Sequence, residues 1–347
     1  MPTLDIFNDD AFSVVSLTQT INDIPFRPGR IGQMGLFEAD RISTTVAMIE
    51  SQGGLLRIVS PTPRGGPGVT LPKEGRNIRP LLVPHFEIND AINADEVQNV
   101  RAFGTESELE TVQTKVAQRQ RLHADSMALT EEHARMGAIK GVVTYAPAEN
   151  GTVVPPLNLY TEFGVTKPAT VQFNFGTTAT DGALLKLTQG IKRQIGDALG
   201  GAGFDHIHAF VGDNFFDGLL TSKEVRETYK NTSQASFLRD SYIDASRLSW
   251  GVFEFGGIVF ENYRGKVGTE AFVATDEARF FPVGTPGLFR TVYAPADYVE
   301  TVNTLGERLY TNQWTAPNRK RIELETQMNA LQYCSRPPAL IEGRIAA

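Results

Sequence analysis

His206 and His208 alternate along an extended run, so they share one face and could offer two nitrogen ligands to a metal ion. A metal needs a third His, Cys or acid at a recognisable spacing, and none follows, so ordinary half-buried histidines are expected. His123 and His133 stand ten residues apart in a helical stretch and do not form the H-E-x-x-H pair that holds zinc on one helix face.

The other reactive residues are equally isolated. Cys334 is the only cysteine, which excludes an intrachain disulfide and a four-cysteine zinc site, and no histidine lies near it in sequence to activate a thiolate. No G-x-S-x-G elbow occurs. The stretch from Gly68 to Lys73 has Pro72 where a phosphate-binding loop needs its second glycine. Gly196, Gly200, Gly201 and Gly203 follow a helix and precede a strand, the reverse of a dinucleotide-binding turn. The expectation is a chain with no catalytic residue, no cofactor and no metal. The N-x-[ST] matches at Asn150 and Asn231 are chance, because no secretion signal precedes them.

What remains is charge and shape. The chain has 347 residues and a net charge of -7, which argues against holding nucleic acid by neutralising many phosphates. Its 41% hydrophobic and 21% charged content is ordinary globular usage, enough for a sizeable core. No run approaches the roughly 18 apolar residues of a membrane span, so a soluble protein made in a reducing cytoplasm is expected.

Within this acidic chain, Arg57, Arg64, Lys73, Arg76 and Arg79 face Glu74 alone. They sit in a segment, residues 53–84, where six Gly and six Pro fill 32 positions. Strand-like runs at Leu55–Val59 and Ile78–Val83 flank its centre, which predicts two strands leading into a long irregular tip. Connections inside compact domains run about 4–6 residues, so such a limb should project. Its surplus positive charge suits acidic surface on other copies of the chain.

Residues 1–45 carry Phe7, Phe12, Leu17, Ile21, Phe26 and Phe37 among polar residues, consistent with a helix on its own domain or an arm on a neighbour. After the limb, Thr105 and Glu108 form a possible capping box, and proline-free sequence continues to Lys140 before Gly141. A helix over 105–140 would be a rod of roughly 50 Å, with Leu109, Val112, Val116, Leu122, Leu129 and Met136 near one face. So thin a stripe fits a spine lying across a sheet better than a bundle helix.

Strands are then predicted at Val142–Tyr145, Leu157–Phe163 and Thr170–Phe175, and a helix over Gly182–Leu199 stopped by Gly200-Gly201. A buried strand at His206–Val211 follows, with short helices at Asp213–Leu220 and Lys223–Tyr229. Trp250–Tyr263 reads as a hairpin turning at Gly256-Gly257, and Arg321–Tyr333 as a last strand returning beside the spine helix. This order is α+β, with 181–311 as an inserted lobe.

Several strings resemble the lambda-like major capsid proteins of tailed phages, the major capsid protein E family: Leu157–Gly164 (LNLYTEFG), Gly257–Gly265 (GIVFENYRG), Phe281–Gly306 (FPVGTPGLFRTVYAPADYVETVNTLG), and Ile322–Pro338 with its QMNA and Arg336-Pro337. The resemblance implies a Hong Kong 97-type capsid fold. It places an N-terminal arm at 1–45, an E-loop at 46–90, a peripheral domain at 91–180 and 312–347 with the spine helix at 105–140, and an axial domain at 181–311.

The same resemblance implies self-assembly into hexamers and pentamers of an icosahedral head, with Arg57, Arg64, Lys73, Arg76 and Arg79 as interface residues of the E-loop. It implies a scaffold protein, a portal and a decoration protein as partners, and double-stranded DNA enclosed without sequence-specific binding. Residence would be the virion, reached from the host cytoplasm. Some relatives crosslink a lysine to an asparagine, for which Lys73 is the only lysine of this E-loop; a decoration protein is expected instead. A tail or baseplate component and a soluble hydrolytic α/β enzyme are the alternatives.

Overall fold

A computed structural model describes residues 29–52, 76–97, 112–146, 154–176, 182–230, 251–267 and 270–346. The described chain opens with one helical turn, α1 (Arg30–Gln33), and a short strand, β1 (Glu38–Arg41). β2 (Val46–Gln52) and β3 (Arg76–Leu82) then pair antiparallel from Val46↔Leu82 to Gln52↔Arg76. Alternation splits this ribbon: Ala47, Ile49 and Leu81 are buried, whereas Met48 and Leu82 face outward. Pro80 is tolerated because, among the described residues, the ribbon has only two strands and so an unpaired edge on each. The Gly/Pro-rich centre, including the expected strand Leu55–Val59, lies outside the described residues, as do residues 1–28.

β4 (His85–Asn93) leads through α2 (Ala94–Val97) towards the spine helix α3 (Val112–Lys140), a rod of about 44 Å. Its expected capping box and Leu109 fall outside the described residues. The buried face keeps Val116 and Met136 of the predicted stripe but not the rest of it that is described. Leu122 and Leu129 are exposed, and the covered side carries Val116, Gln120, His123, Ala124, Met127, Ala128 and Glu131. These recur at intervals of three and four, as one face requires, but small and polar side chains dominate because the helix lies close against a strand.

After Gly141 the chain forms β5 (Val142–Val143), paired with β6 (Leu157–Asn158). The strand predicted through Phe163 stops there, and Leu159–Phe163 is a helical turn, α4. The Asn158 side chain accepts the backbone N–H groups of Tyr160 and Thr161, and Gly164 closes the turn in the left-handed region at φ 61°. Two capping residues override the strand-like Leu, Tyr and Phe between them.

β7 (Val171–Phe173) precedes α5 (Ala183–Leu199), whose Leu184, Ile191, Ile195 and Leu199 are buried. Then come β8 (His206–Val211), α6 (Asp213–Thr221) and α7 (Lys223–Lys230). The predicted hairpin is present as β9 (Val252–Phe255) and β10 (Ile258–Asn262). Gly256 and Gly257 have φ of 61° and 75°, the two positive values a two-residue turn of this hand demands. A small ribbon, β11 (Lys266–Val267) with β12 (Glu270–Ala271), leads to β13 (Glu277–Val283). The chain ends with β14 (Phe289–Tyr293), β15 (Tyr310–Thr315), β16 (Arg321–Cys334) and β17 (Ile341–Ile345).

Two sheets organise these strands. The larger has the order β7-β17-β13-β8-β10-β9, with β8 and β10 parallel. Its core is aromatic: Phe173, Phe210, Phe215, Phe260, Phe280 and Phe281 are wholly buried. Adjacent rings such as Phe173 and Phe215 meet edge-on at 5.0 Å, the arrangement that ring quadrupoles favour. The second sheet is built on β16, which pairs with β4 along one edge and with β15 and then β14 along the other, while β1 runs parallel to β14. The spine helix packs on β16, so the last long strand does return beside it.

Sheet membership cuts across the boundary expected at 311/312. β14 lies within 181–311 yet belongs to the spine-helix sheet, and β17 lies within 312–347 yet pairs with β13 and β7 of the larger sheet. Hydrogen bonding over such sequence separations leaves no local pattern to read.

Candidate assembly surfaces and the junction that carries them

The two sheets meet at a buried polar junction built around residues 29–34. Helix starts leave backbone N–H groups without partners. Here Glu132 of α3 accepts two of them, from Ile31 at 2.6 Å and Gly32 at 3.1 Å, and a hydrogen bond from the Tyr263 hydroxyl at 3.2 Å. The approach is so close that a Cβ at Gly29 would lie 2.4 Å from the Glu132 side chain. Burial pushes the Glu132 carboxyl up, opposed by those backbone donors.

Arg30 reaches the other way. Its Nε and Nη2 donate to the two oxygens of Glu261 on β10, at 2.6 and 2.9 Å, a bidentate pair. His208 of β8 lies 3.0 Å from the same carboxylate through Nε2, on a fully buried Glu261. Burial opposes ionisation of Glu261, yet the bonds from His208 and Arg30 outweigh it and hold the carboxyl below its usual range. Burial pulls His208 down, so a neutral ring donating Nε2–H to Glu261 accounts for the contact. His208 is thus a buried histidine packed on Phe210 and Phe281, more enclosed than the half-buried residue expected, and His206 stacks edge-on beside it.

A second buried carboxylate fastens α3 to its own sheet. Glu131 accepts the Tyr293 hydroxyl at 2.6 Å, Arg135 at 2.7 Å and Arg308 at 3.0 Å. These acids were not legible as functional in the sequence. The only signal was an adjacent pair of glutamates in a helix whose apolar stripe is thin.

Outward-facing apolar side chains mark the surfaces available to other molecules. Met48 and Leu82 on the ribbon are 66% and 72% exposed. Between β14 and β15, Val299, Val302 and Leu305 are 87%, 62% and 61% exposed on one short excursion. Its base is tied by Thr301 Oγ1 to the Ala296 carbonyl at 2.8 Å and by the Gly306 N–H to the Ile42 carbonyl at 2.9 Å. Sequence reading missed this loop, although Pro295 and Gly306 bracket Val299, Val302 and Leu305 at three-residue spacing with polar residues between them.

Of the five basic limb residues, Arg57, Arg64 and Lys73 lie outside the described residues. Arg76 pairs with Gln52 at the far end of the ribbon. Arg79 turns inward: its guanidinium donates to the backbone carbonyl of Glu162 on α4, fastening the ribbon base to the chain's own body. Cys334 is buried, with its thiol pushed up to about 12 by desolvation. Among the described residues no group of three or more His, Cys, Asp or Glu could hold a metal, and no helix is long and apolar enough to cross a membrane.

The comparisons agree with this architecture. The chain is 30% identical over 96% of its length to the major capsid protein of Pseudomonas phage KPP10, covering 97% of that protein. It is 27% identical to that of Salmonella phage Felix O1, covering 97% of each. A solved structure assigned as the capsid protein of an Escherichia coli CFT073 prophage shares the fold at a TM-score of 0.55, with 11% identity over 96% of this chain and 99% of that one. The model of the phage major capsid protein E family matches residues 13–345, and with that match over nearly the whole length the chain belongs to that family.

Proposed function

We propose that the chain acts by packing against copies of itself into hexamers and pentamers that close an icosahedral head around double-stranded DNA, and that it catalyses no reaction. Uncovered apolar surface carries this reading. Met48 and Leu82 on the ribbon, and Val299, Val302 and Leu305 on the loop, are the kind of surface that one chain leaves open when neighbours bury it. Head-to-tail contacts between identical chains close into rings, and a subunit held at several places leaves only when all let go.

In this reading the sheet on β16 with α3 is the peripheral domain, the six-stranded sheet with α5, α6 and α7 is the axial domain, and the β2–β3 ribbon is the base of the E-loop. Arg57, Arg64, Lys73 and Arg76 meet acidic groups of a neighbour, while Arg79 anchors the limb at home. A net charge of -7 leaves enclosed DNA mobile. A scaffold, a portal and a decoration protein complete the assembly, which forms in the host cytoplasm and persists in the virion.

Electron microscopy of the full chain coexpressed with its neighbouring head genes tests the proposal. Closed isometric shells are expected. Rods or tubes would favour a tail component, and substrate turnover by dilute unassembled subunit would favour an enzyme.

A further inference from the structure

One cavity, of about 280 Å³, opens where the C-terminal end of α3, β5 and the larger sheet converge. His133, Lys140, Thr144, Lys167, Phe272 and Arg279 are on its wall, and no carboxylate is among its lining residues. Three basic side chains, from α3, the segment before β7, and β13, therefore line one space.

The surrounding acids are already committed. Glu342 takes Lys167 at 2.7 Å, Arg344 at 2.8 Å and Arg279 at 3.3 Å, and Glu277 takes Arg279 as well. Between them these two carboxylates answer three cations. The Lys140 ammonium has neither a hydrogen bond nor an ion pair among the described residues, and burial pulls it down, with Arg279 reinforcing and Glu277 and Glu342 opposing from a distance. Its place at the carbonyl end of α3 favours the charge but supplies no counterion. A mostly buried ammonium with no carboxylate in direct contact is costly, and an anion in the cavity would offset that cost.

We propose that this cavity binds a phosphate-type oxyanion, held by Lys140, Lys167 and Arg279 with Thr144 at its rim. A tetrahedral dianion matches donors converging from different directions, whereas a lone carboxylate is better served by one planar fork. The volume admits such an ion with several waters, each occupying about 30 Å³ in the liquid. A bound ion would tie α3 to β13 and strengthen the seam between the two sheets.

Thermal unfolding of the full-length unassembled chain in inorganic phosphate, against chloride at matched ionic strength, tests this. Phosphate should raise Tm saturably by a few degrees, as ligand binding to the folded state alone requires. Lys140→Met should fold, match or exceed the parent Tm in chloride, and lose the phosphate response. Lys186→Met, on an exposed face of α5, should keep it. Should Lys140→Met misfold, Lys167→Gln must weaken the apparent phosphate affinity about tenfold, the loss of roughly one charged contact. A short DNA duplex separates the sources: a Lys140-dependent rise with duplex assigns the ion to a nucleic-acid backbone, and one with inorganic phosphate alone to a free ion. No gain over chloride, or an unchanged response in Lys140→Met, overturns the site.

Discussion

Glu131 and Glu132 are consecutive residues of α3, and their carboxylates bind opposite halves of the molecule. Glu131 takes Tyr293 from the sheet beneath the helix and Arg308 from the loop before β15, and Glu132 takes the α1 backbone and Tyr263 beside the larger sheet. One residue step on a helix is about 100°, enough to send neighbouring side chains to different partners. The spine helix is thereby clamped between the two sheets by charge as well as by packing.

Removing either acid orphans buried donors, with different consequences. Glu131→Ala should cost about 3–5 kcal/mol, because Arg135 and Arg308 lose a buried counterion. Glu132→Ala should cost roughly 2–5 kcal/mol and also release α1, since the Ile31 N–H loses its acceptor. Urea unfolding measures the first effect. Limited proteolysis separates the two, with faster cleavage near residue 30 expected in Glu132→Ala alone.

Stability should fall as the medium is acidified from about pH 7.5 to about pH 5.5, partly through His208. Burial holds its folded pKa below the ordinary value, so in that window the unfolded chain binds the proton more readily and is stabilised relative to the folded one. Glu261 and Arg30 face the ring, with His206 beside it; Glu261 also has a depressed pKa, so its contribution is lost at lower pH still. His123, likewise pulled down by burial, adds to the slope, while Glu132 and His85, both raised, act against it. His208→Gln should flatten the dependence of the unfolding free energy on pH; an unchanged slope would remove His208 from the account.

The hairpin turn ranks two adjacent glycines. A Cβ at Gly256 would sit 2.2 Å from the hydroxyl of buried Thr188, whereas at Gly257 it would meet the movable end of Lys192. Both have positive φ, so both substitutions are strained. Gly256→Ala should cost roughly 1–3 kcal/mol and Gly257→Ala less, read from denaturant midpoints.

Surface changes should separate folding from assembly. Val302→Asp, at a side chain 62% exposed, and Arg64→Glu, a charge reversal on the proposed interface limb, are each expected to leave unfolding free energy within about 0.5 kcal/mol of the parent. Both should lower the yield of closed shells in sedimentation. Loss of the circular-dichroism signal in either would place that residue in the chain's own fold.

Local rules made much of this legible. The Gly256-Gly257 turn was readable because only glycine takes two positive φ values cheaply, and the end of α3 because Gly141 stops a long proline-free run. The turn at Leu159–Phe163 was not, since Leu, Tyr and Phe favour strands until Asn158 and Gly164 are recognised as caps. The buried face of α3 was read only at Val116 and Met136, because the Ala, Gln, His and Glu that make up most of it carry no apolar contrast. The parallel pairing of Glu38–Arg41 with Arg290–Tyr293 joins segments some 250 residues apart, and no window along the chain spans it. The polar junction was hidden for the same reason, Arg30 and Glu261 being 231 positions apart.

β16 has a mechanical consequence. It is paired along its whole length, on both edges over Ile322–Gln327 and with β14 from Ala330 to Cys334, and β17, a few residues later, enters the larger sheet. A tug on that sheet along the chain would strain the rungs flanking β16 all at once, like a bolt pulled along its thread, instead of opening them singly like a zipper. A wall inflated from within stretches each tile in its own plane, and a strand held this way is well placed to resist tearing.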